Sequence, residues 1–421
     1  KKNMADVLLA YLTTVNQSIA ARHGSNYSKL LSLPIDINKN SQSQSHQQFQ
    51  RLAEKLKRTD YSRTCESMLI KSSASSAVIH SLAALAAYVD GDYAGAYRHQ
   101  NLSYNAILDY FASKDEITTW IIPVLVRVSN DLRVVAEMAD EKDEDINNKY
   151  LRESLGVLTK GFTVVAKDRS PVNQPGSKKL AIFAVTNVLF KIYFRVNTLQ
   201  LCGKLINVVE GPGGIMDNLQ LFPICDVAMY KYYVGRLKMF EDKYEDAREC
   251  LRFSLKYCPK EFLKNRQRIL CSLVPIEMCL GILPSQQISS VYGLHELYSL
   301  GEATKKGDLR RFNSLLLQHQ SNFVKLGVFL VLEQVKIIAY RNLFKRLYLL
   351  TNSTRLNLQA FLSVLREQCD EEMELAELEC ILANLIFQNK IKGYISHQKH
   401  FLIVSKADPF PIAAVIRRPS V

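Results

Sequence analysis

The chain has 421 residues, 48% of them hydrophobic and 23% charged, so it can bury a sizeable core, and its length predicts a repeat array or two to three domains. The net charge of +13 and an isoelectric point near 9.2 point to an acidic partner, either nucleic acid or an acidic protein. The run of roughly eighteen apolar residues that a membrane span needs is missing, the most apolar stretch being 326–332, flanked by Lys325 and Glu333.

The N-terminal Lys1-Lys2-Asn3-Met4 carries no signal-peptide core, and the nine cysteines are scattered through apolar helical segments. An odd number cannot fully pair within one chain, so an intracellular protein with reduced, buried thiols is expected. Val7, Leu8, Tyr11, Leu12, Val15 and Ile19 recur at helical spacing, which predicts an opening amphipathic helix within an N-terminal segment 1–33. A polar linker over 34–60 follows, with a Ser/Gln-rich centre at 38–50 that cannot bury enough apolar surface to order itself.

From 61 to 322 the pattern is helical and one signature recurs. In its clearest copy Tyr232-Tyr233-Val234-Gly235-Arg236-Leu237-Lys238-Met239-Phe240 ends at a polar turn, and Tyr244-Glu245-Asp246-Ala247 opens a second helix. The small Ala247 lets the two helices approach closely. Tyr88-Val89-Asp90-Gly91-Asp92-Tyr93-Ala94-Gly95-Ala96 has the same form, and looser copies run over 194–202 and 305–312. Their uneven spacing predicts an irregular superhelix of helix pairs, interrupted by surface loops at 170–179 (Pro171, Pro175, Gly176) and 211–214.

A long connecting helix is expected over 323–350 and a different module over 351–406. There, Leu358, Phe361, Leu362 and Leu365 form one helical stripe behind an Asn357 cap, and Leu375, Leu378, Ile381, Leu382, Leu385 and Ile386 form a second. The period then drops to two, so that 394–397 and 401–405, joined by Gln398-Lys399-His400, read as a β-hairpin. Helix, helix and hairpin is the order of a winged helix. The tail 407–421, with Pro409, Pro411 and Pro419, cannot continue regular structure and either docks or hangs free.

Several strings carry a closer likeness. Tyr230-Lys231-Tyr232-Tyr233-Val234-Gly235-Arg236, Tyr340-Arg341-Asn342-Leu343-Phe344-Lys345, Cys380-Ile381-Leu382-Ala383-Asn384-Leu385-Ile386 and Lys392-Gly393-Tyr394-Ile395-Ser396-His397 resemble the PCI domain-containing protein 2 family, over roughly 120–411. The resemblance implies the PCI fold: an all-α, irregular right-handed helical-repeat (TPR-like) superhelix followed by a C-terminal winged helix with a small β-hairpin. It also implies a non-catalytic scaffold in the nucleus, at or near the nuclear pore, with the cytoplasm as a second location. There it would be an adaptor of the transcription-coupled mRNA export complex, binding a GANP-type scaffold protein, a small acidic DSS-type subunit, and RNA or DNA without sequence preference. The alternative is a PCI subunit of a COP9 signalosome-like or proteasome-lid-like assembly that makes no nucleic-acid contact.

Catalytic signatures are missing from the sequence: there is no G-x-x-x-x-G-K-[ST], no G-x-G-x-x-G after a strand and no G-x-S-x-G. No small-molecule substrate, membrane insertion, cofactor or metal is expected. Cys250 and Cys258, like Cys271 and Cys279, are eight apart, which suits helix packing better than zinc, and His397 and His400 lack a third ligand in the sequence nearby. Gly211-Pro212-Gly213-Gly214 fits the loop of a KH domain formally, but no strand pattern surrounds it and Glu210 adjoins it, which favours a plain loop.

Base reading by the second helix of the winged module is disfavoured by Glu377 and Glu379 and by Asp370, Glu371, Glu372 and Glu374 before them, with only Asn384 and Gln388 to offset them. Cations lie around it instead: Lys390, Lys392, Lys399 and Lys406 at the hairpin, with His397, and Lys336, Arg341, Lys345 and Arg346 on the preceding helix. These suit phosphate contacts, the plainer reading being a solvated basic face. Arg248, Arg252, Lys256, Lys260, Lys264 and Arg268 form a second basic set at four-residue intervals, open to an acidic subunit, RNA or solvent alone, with Pro259 expected to break the helix.

Overall fold

A computed structural model describes residues 2–35, 52, 61–69, 73–113, 118–144, 147–174, 176–212, 214–368 and 373–411. The Ser/Gln-rich centre at 38–50, the end of the tail including Pro419, and Pro175, Gly213, Cys369, Asp370, Glu371 and Glu372 lie outside the described residues. In chain order the helices are α1 (Lys2–Ala20), α2 (Gly24–Leu31), α3 (Tyr61–Met68), α4 (Ser73–Val89), α5 (Tyr93–Ala112), α6 (Ile122–Lys142), α7 (Lys149–Ala166), α8 (Ile182–Arg195), α9 (Cys202–Val209), α10 (Ile224–Phe240), α11 (Tyr244–Tyr257), α12 (Leu263–Cys279), α13 (Gln286–Tyr292), α14 (His295–Lys306), α15 (Leu309–Gln318), α16 (Gln320–Leu326) and α17 (Phe329–Thr351). Strand β1 (Arg355–Asn357), α18 (Leu358–Gln368), α19 (Leu375–Phe387), β2 (Gly393–Ser396) and β3 (Phe401–Val404) follow. The fold is all-α helical repeats ending in a winged helix. The chain divides into two compact units, Lys1–Tyr230 and Lys231–Val421.

In the first unit α4 and α5 form the repeat pair expected around Gly91. Gly91 takes φ +74°, and Asp92 caps α5 by accepting the Gly95 N–H at 2.9 Å. Small residues set the approach of the two helices: Ala74, Ala77, Ala84 and Ala96 are fully buried, and the Ser81 and Ser103 hydroxyls meet at 2.9 Å. Further on, the buried Asp131 of α6 accepts the Leu33 N–H at 3.0 Å and faces the Arg127 guanidinium, fastening the segment after α2. Burial pushes the Asp131 carboxyl up to about 6 against the pull of Arg127.

The second unit opens with the pair carried by α10 and α11. A Cβ on Gly235 would stand 2.8 Å from the Leu251 side chain and 3.2 Å from the Ala247 carbonyl, so glycine and the fully buried Ala247 together permit the contact. Met239, Leu251, Leu273, Phe312 and Leu332 close the core around it. At the α14–α15 turn Gly307 (φ +65°) lies against the Leu343 backbone, and Asp308 caps α15 through the Arg311 N–H. The continuous helix expected over 323–350 is interrupted, because Gly327 at φ +73° ends α16 and α17 starts only at Phe329.

The winged helix is built on a second core, with Leu358, Phe361, Leu362 and Leu365 of α18, Leu378, Leu382 and Leu385 of α19, and Leu356, Leu402 and Val404 of the sheet. Each such side chain, once buried, contributes roughly 1.5–3 kcal/mol. The expected hairpin pairs Tyr394 with Ile403 and Ser396 with Phe401, and β1 adds a strand that the sequence did not reveal, giving the antiparallel order β1-β3-β2. Asn357 caps α18 as expected, accepting the Gln359 N–H at 2.9 Å. The tail docks as far as Pro411: Phe410 is buried against the Tyr348 ring, and the Pro409 carbonyl accepts the Lys392 N–H at 2.9 Å.

Candidate nucleic-acid and partner interface

The acidic residues of α19 have internal partners. Glu374 and Glu377 form a reciprocal capping box that opens the helix, with the Glu374 N–H 3.0 Å from the Glu377 carboxylate. Glu379 leaves the exposed face where the sequence put it: its side chain is only 15% accessible, and its carboxylate stands 2.7 Å from His397 Nδ1 and 4.0 Å from His400 Nδ1. The hairpin turn is thereby latched onto α19. His397 is a latch residue whose remaining ring edge faces solvent.

The cations around α19 separate into three groups. Lys392, Lys399 and Lys406 are exposed on or beside the hairpin, and only Lys392 among them has an ion pair among the described residues, with Asp408 at 3.5 Å. Lys390 is half-buried, lining a cavity of about 60 Å³ with Arg341, Asn342, Ile338 and Gly281, and burial lowers its pKa, the neighbouring Arg341 charge adding to the effect. Arg341 departs from the surface reading altogether. It is 8% exposed, and its guanidinium donates to the carbonyls of Phe410 and Pro411 and, at 2.8 Å, to the Asn342 side chain, which anchors the tail.

The cations of α17 do not form one stripe. At about 100° per residue Lys336 and Lys345, both half-buried, fall on opposite sides of the helix, and the exposed Arg346 donates to the last carbonyl of α14, on Lys306, at 2.6 Å. Four exposed groups on or next to the winged module in the chain were not anticipated: Phe387 at 85%, Leu350 at 82%, Tyr394 at 62%, and Arg355, whose guanidinium lies 4.0 Å from the Phe401 ring centre. Phe387 falls outside the Leu378, Leu382, Leu385 stripe, which is the signal that could have found it.

The second basic set is no continuous stripe either, because the break expected at Pro259 occurs and α11 and α12 are separate helices. Arg248 is buried, and Arg252 donates twice to Glu277, at 2.6 and 2.9 Å. Lys256, Lys260, Lys264 and Arg268 remain exposed, with no ion pair among the described residues. Arg266, between them, closes the turn by donating to the Leu255 and Cys258 carbonyls and to the Tyr292 hydroxyl.

The first unit holds a larger cavity of about 370 Å³, lined by Glu137, Asp140, Glu141, Glu144 and Arg195. Of its four carboxylates, Asp140 accepts the Tyr150 and Leu151 N–H groups at the start of α7, and Glu141 pairs with Arg195 at 3.3 Å. No strand among the described residues flanks 211–214 in the chain, the strands described all belonging to the winged helix, and Glu210 accepts the Tyr230 hydroxyl at 3.3 Å. Among the described residues no three His, Cys, Asp or Glu side chains are grouped to hold a metal ion, and no helix is long and apolar enough to cross a membrane. Burial is not uniform among the thiols as expected from the sequence: Cys225 and Cys380 are exposed.

Comparison with known proteins adds a family. The PCI domain matches residues 314–406, from α15 to the end of the hairpin. The chain is 38% identical to PCI domain-containing protein 2 of Danio rerio, over 76% of this chain and 80% of the relative. It is 34% identical to the PCI domain-containing protein 2 homolog of Dictyostelium discoideum over 91% of each chain. The Protein CSN12 homolog of Neurospora crassa is 31% identical over 69% of this chain and 72% of the relative.

Proposed function

The chain belongs to the PCI domain-containing protein 2 family, and from that membership we propose that it is the adaptor of a transcription-coupled mRNA export complex, joining two protein partners to nucleic acid. The coarse role, a PCI subunit of a scaffold family, follows from the match itself, which points to no enzymatic family. In the finer reading the partners are a large GANP-type scaffold and a small acidic DSS-type subunit, and the protein works in the nucleus near the pore.

One observation supports the nucleic-acid part most: the acids of α19 are engaged by its own cap and by the hairpin latch, while Lys392, Lys399 and Lys406 extend outward beside it. Such an edge attracts phosphates, while the acidic helix beside it disfavours base reading, so binding is electrostatic and tolerant of sequence. Titration of RNA into the purified complex at several salt concentrations tests it: affinity should fall steeply with salt, and salt-independent or absent binding would count against it.

A second reading is favoured by the exposed Phe387, Leu350 and Tyr394 and by the likeness to a Protein CSN12 homolog. In it, the chain is a PCI subunit of a COP9 signalosome-like assembly and its winged helix is a protein wedge, as the exposed aromatic residues would suit. Normal assembly with loss of RNA binding after reversal of the hairpin lysines separates the first reading from the second.

A further inference from the structure

The turn between α11 and α12 presents aromatic and basic groups together, far along the chain from the winged helix. Phe262 is 57% exposed, Leu263 54% and Tyr257 39%. Over 256–268 there are five cations to one carboxylate, Glu261. Lys256 lies over the Tyr257 ring at 5.2 Å, and the same ring packs on Phe253 at 4.7 Å between centres. Lys260 sits in the turn, and Lys264 and Arg268 follow at one-turn intervals on α12, all exposed.

The turn is fastened from inside. Arg266 donates to the Leu255 carbonyl at 3.1 Å, to the Cys258 carbonyl at 2.6 Å and to the Tyr292 hydroxyl at 2.8 Å. The Phe262 N–H bonds the Pro259 carbonyl at 3.2 Å, and its own carbonyl accepts from Asn265 and Arg266 at 3.0 Å. The Phe262 backbone is thus fixed while its ring stands in solvent. A ring held outward costs hydration free energy that burial inside the fold would recover, and a backbone already fixed leaves only the side-chain rotamers to be ordered on binding.

Exposed rings on a fixed turn, interleaved with ammonium groups that have no carboxylate partner among the described residues, match one ligand chemistry: a strand with unpaired bases to stack and phosphates at intervals along it. A duplex hides its base faces, so the fit is to single strands. We propose that Phe262 and Tyr257, with Lys256, Lys260 and Lys264, form a second, single-strand-binding platform in which Phe262 stacks on a base and the lysines hold the flanking phosphates. The proposal rests on the nucleic-acid reading above and adds a site outside the winged helix.

The test uses the full chain and a fluorescein-labelled 15-mer of uridine. Phe262→Ala should weaken binding about 5- to 100-fold with little change in the salt dependence, because a stacked base releases no counterions, and Phe262→Trp should retain affinity. Lys260→Glu with Lys264→Glu should weaken binding and flatten the salt slope. If Phe262→Ala binds like the wild type while reversal of the hairpin lysines weakens binding, the platform is overturned and the nucleic-acid reading survives. If the wild type does not bind the oligonucleotide, both fall. If Phe262→Ala leaves RNA affinity intact but abolishes self-association in sedimentation, the surface belongs to a second copy of the chain and the platform is overturned.

Discussion

The Glu379 carboxylate of α19 lies 2.7 Å from Nδ1 of His397, eighteen residues on, and this contact ties the hairpin to the helix. Removing the imidazole by His397→Ala leaves the carboxylate with only the longer His400 contact and opens it to water, which costs about 0.5–1.5 kcal/mol because His397 is itself mostly exposed. Hydrogen exchange should speed up across β2 and β3 while α18 keeps its protection. Equal protection in variant and wild type would mean that the latch contributes nothing.

Asp131 makes stability depend on pH in an unusual direction for a carboxylate. Its folded pKa is raised to about 6, so between roughly 4 and 6 the folded state holds the extra proton, and its contribution is fully present below that window and lost as pH rises through it. Relative to Asp131→Asn, which cannot titrate, the wild type should lose about 2 kcal/mol between pH 4.5 and 7.5. Urea denaturation at the two pH values measures the difference, and a constant difference refutes the raised pKa.

Ala247 has no room for a larger side chain, being fully buried below the Gly235 contact. Ala247→Leu should destabilise the second unit by about 1–3 kcal/mol through overpacking. An unchanged melting temperature would show that α11 can shift away from α10 without loss.

Thiol reactivity should separate the cysteines by environment. Burial pushes Cys65 up to about 11 and Cys202 and Cys279 up to about 12, whereas Cys225 and Cys380 are exposed. Ellman's reagent at pH 8, followed by peptide mapping, should modify Cys225 and Cys380 in the native protein and the other three only after denaturation. Rapid native modification of Cys202 would contradict its burial.

The helix pairs and the winged module were legible because periodicity records which faces are buried: the Leu358, Phe361, Leu362, Leu365 stripe is the face α18 buries. Strand β1 was not, since three residues are too few for alternation to show, and its pairing with β3 is long-range. Charge misled where its environment is set from afar. Arg341 looks like a surface cation in sequence, but the carbonyls that hold it lie sixty-nine and seventy residues on. Along the set from Arg248 to Arg268 the break at Pro259 was legible, but Glu277, which engages Arg252, lies on the next helix and was not.

In the function proposed above, the hairpin edge beside α19 holds nucleic acid through phosphate contacts. The direct measurement is fluorescence anisotropy of labelled single-stranded RNA against the assembled complex, wild type and Lys392→Glu, Lys399→Glu, Lys406→Glu, over a range of salt. Losing three phosphate contacts should weaken binding at low salt and reduce the slope of log affinity against log salt by about 2, with the complex still assembling. Identical affinity and slope for the intact triple variant would contradict the claim.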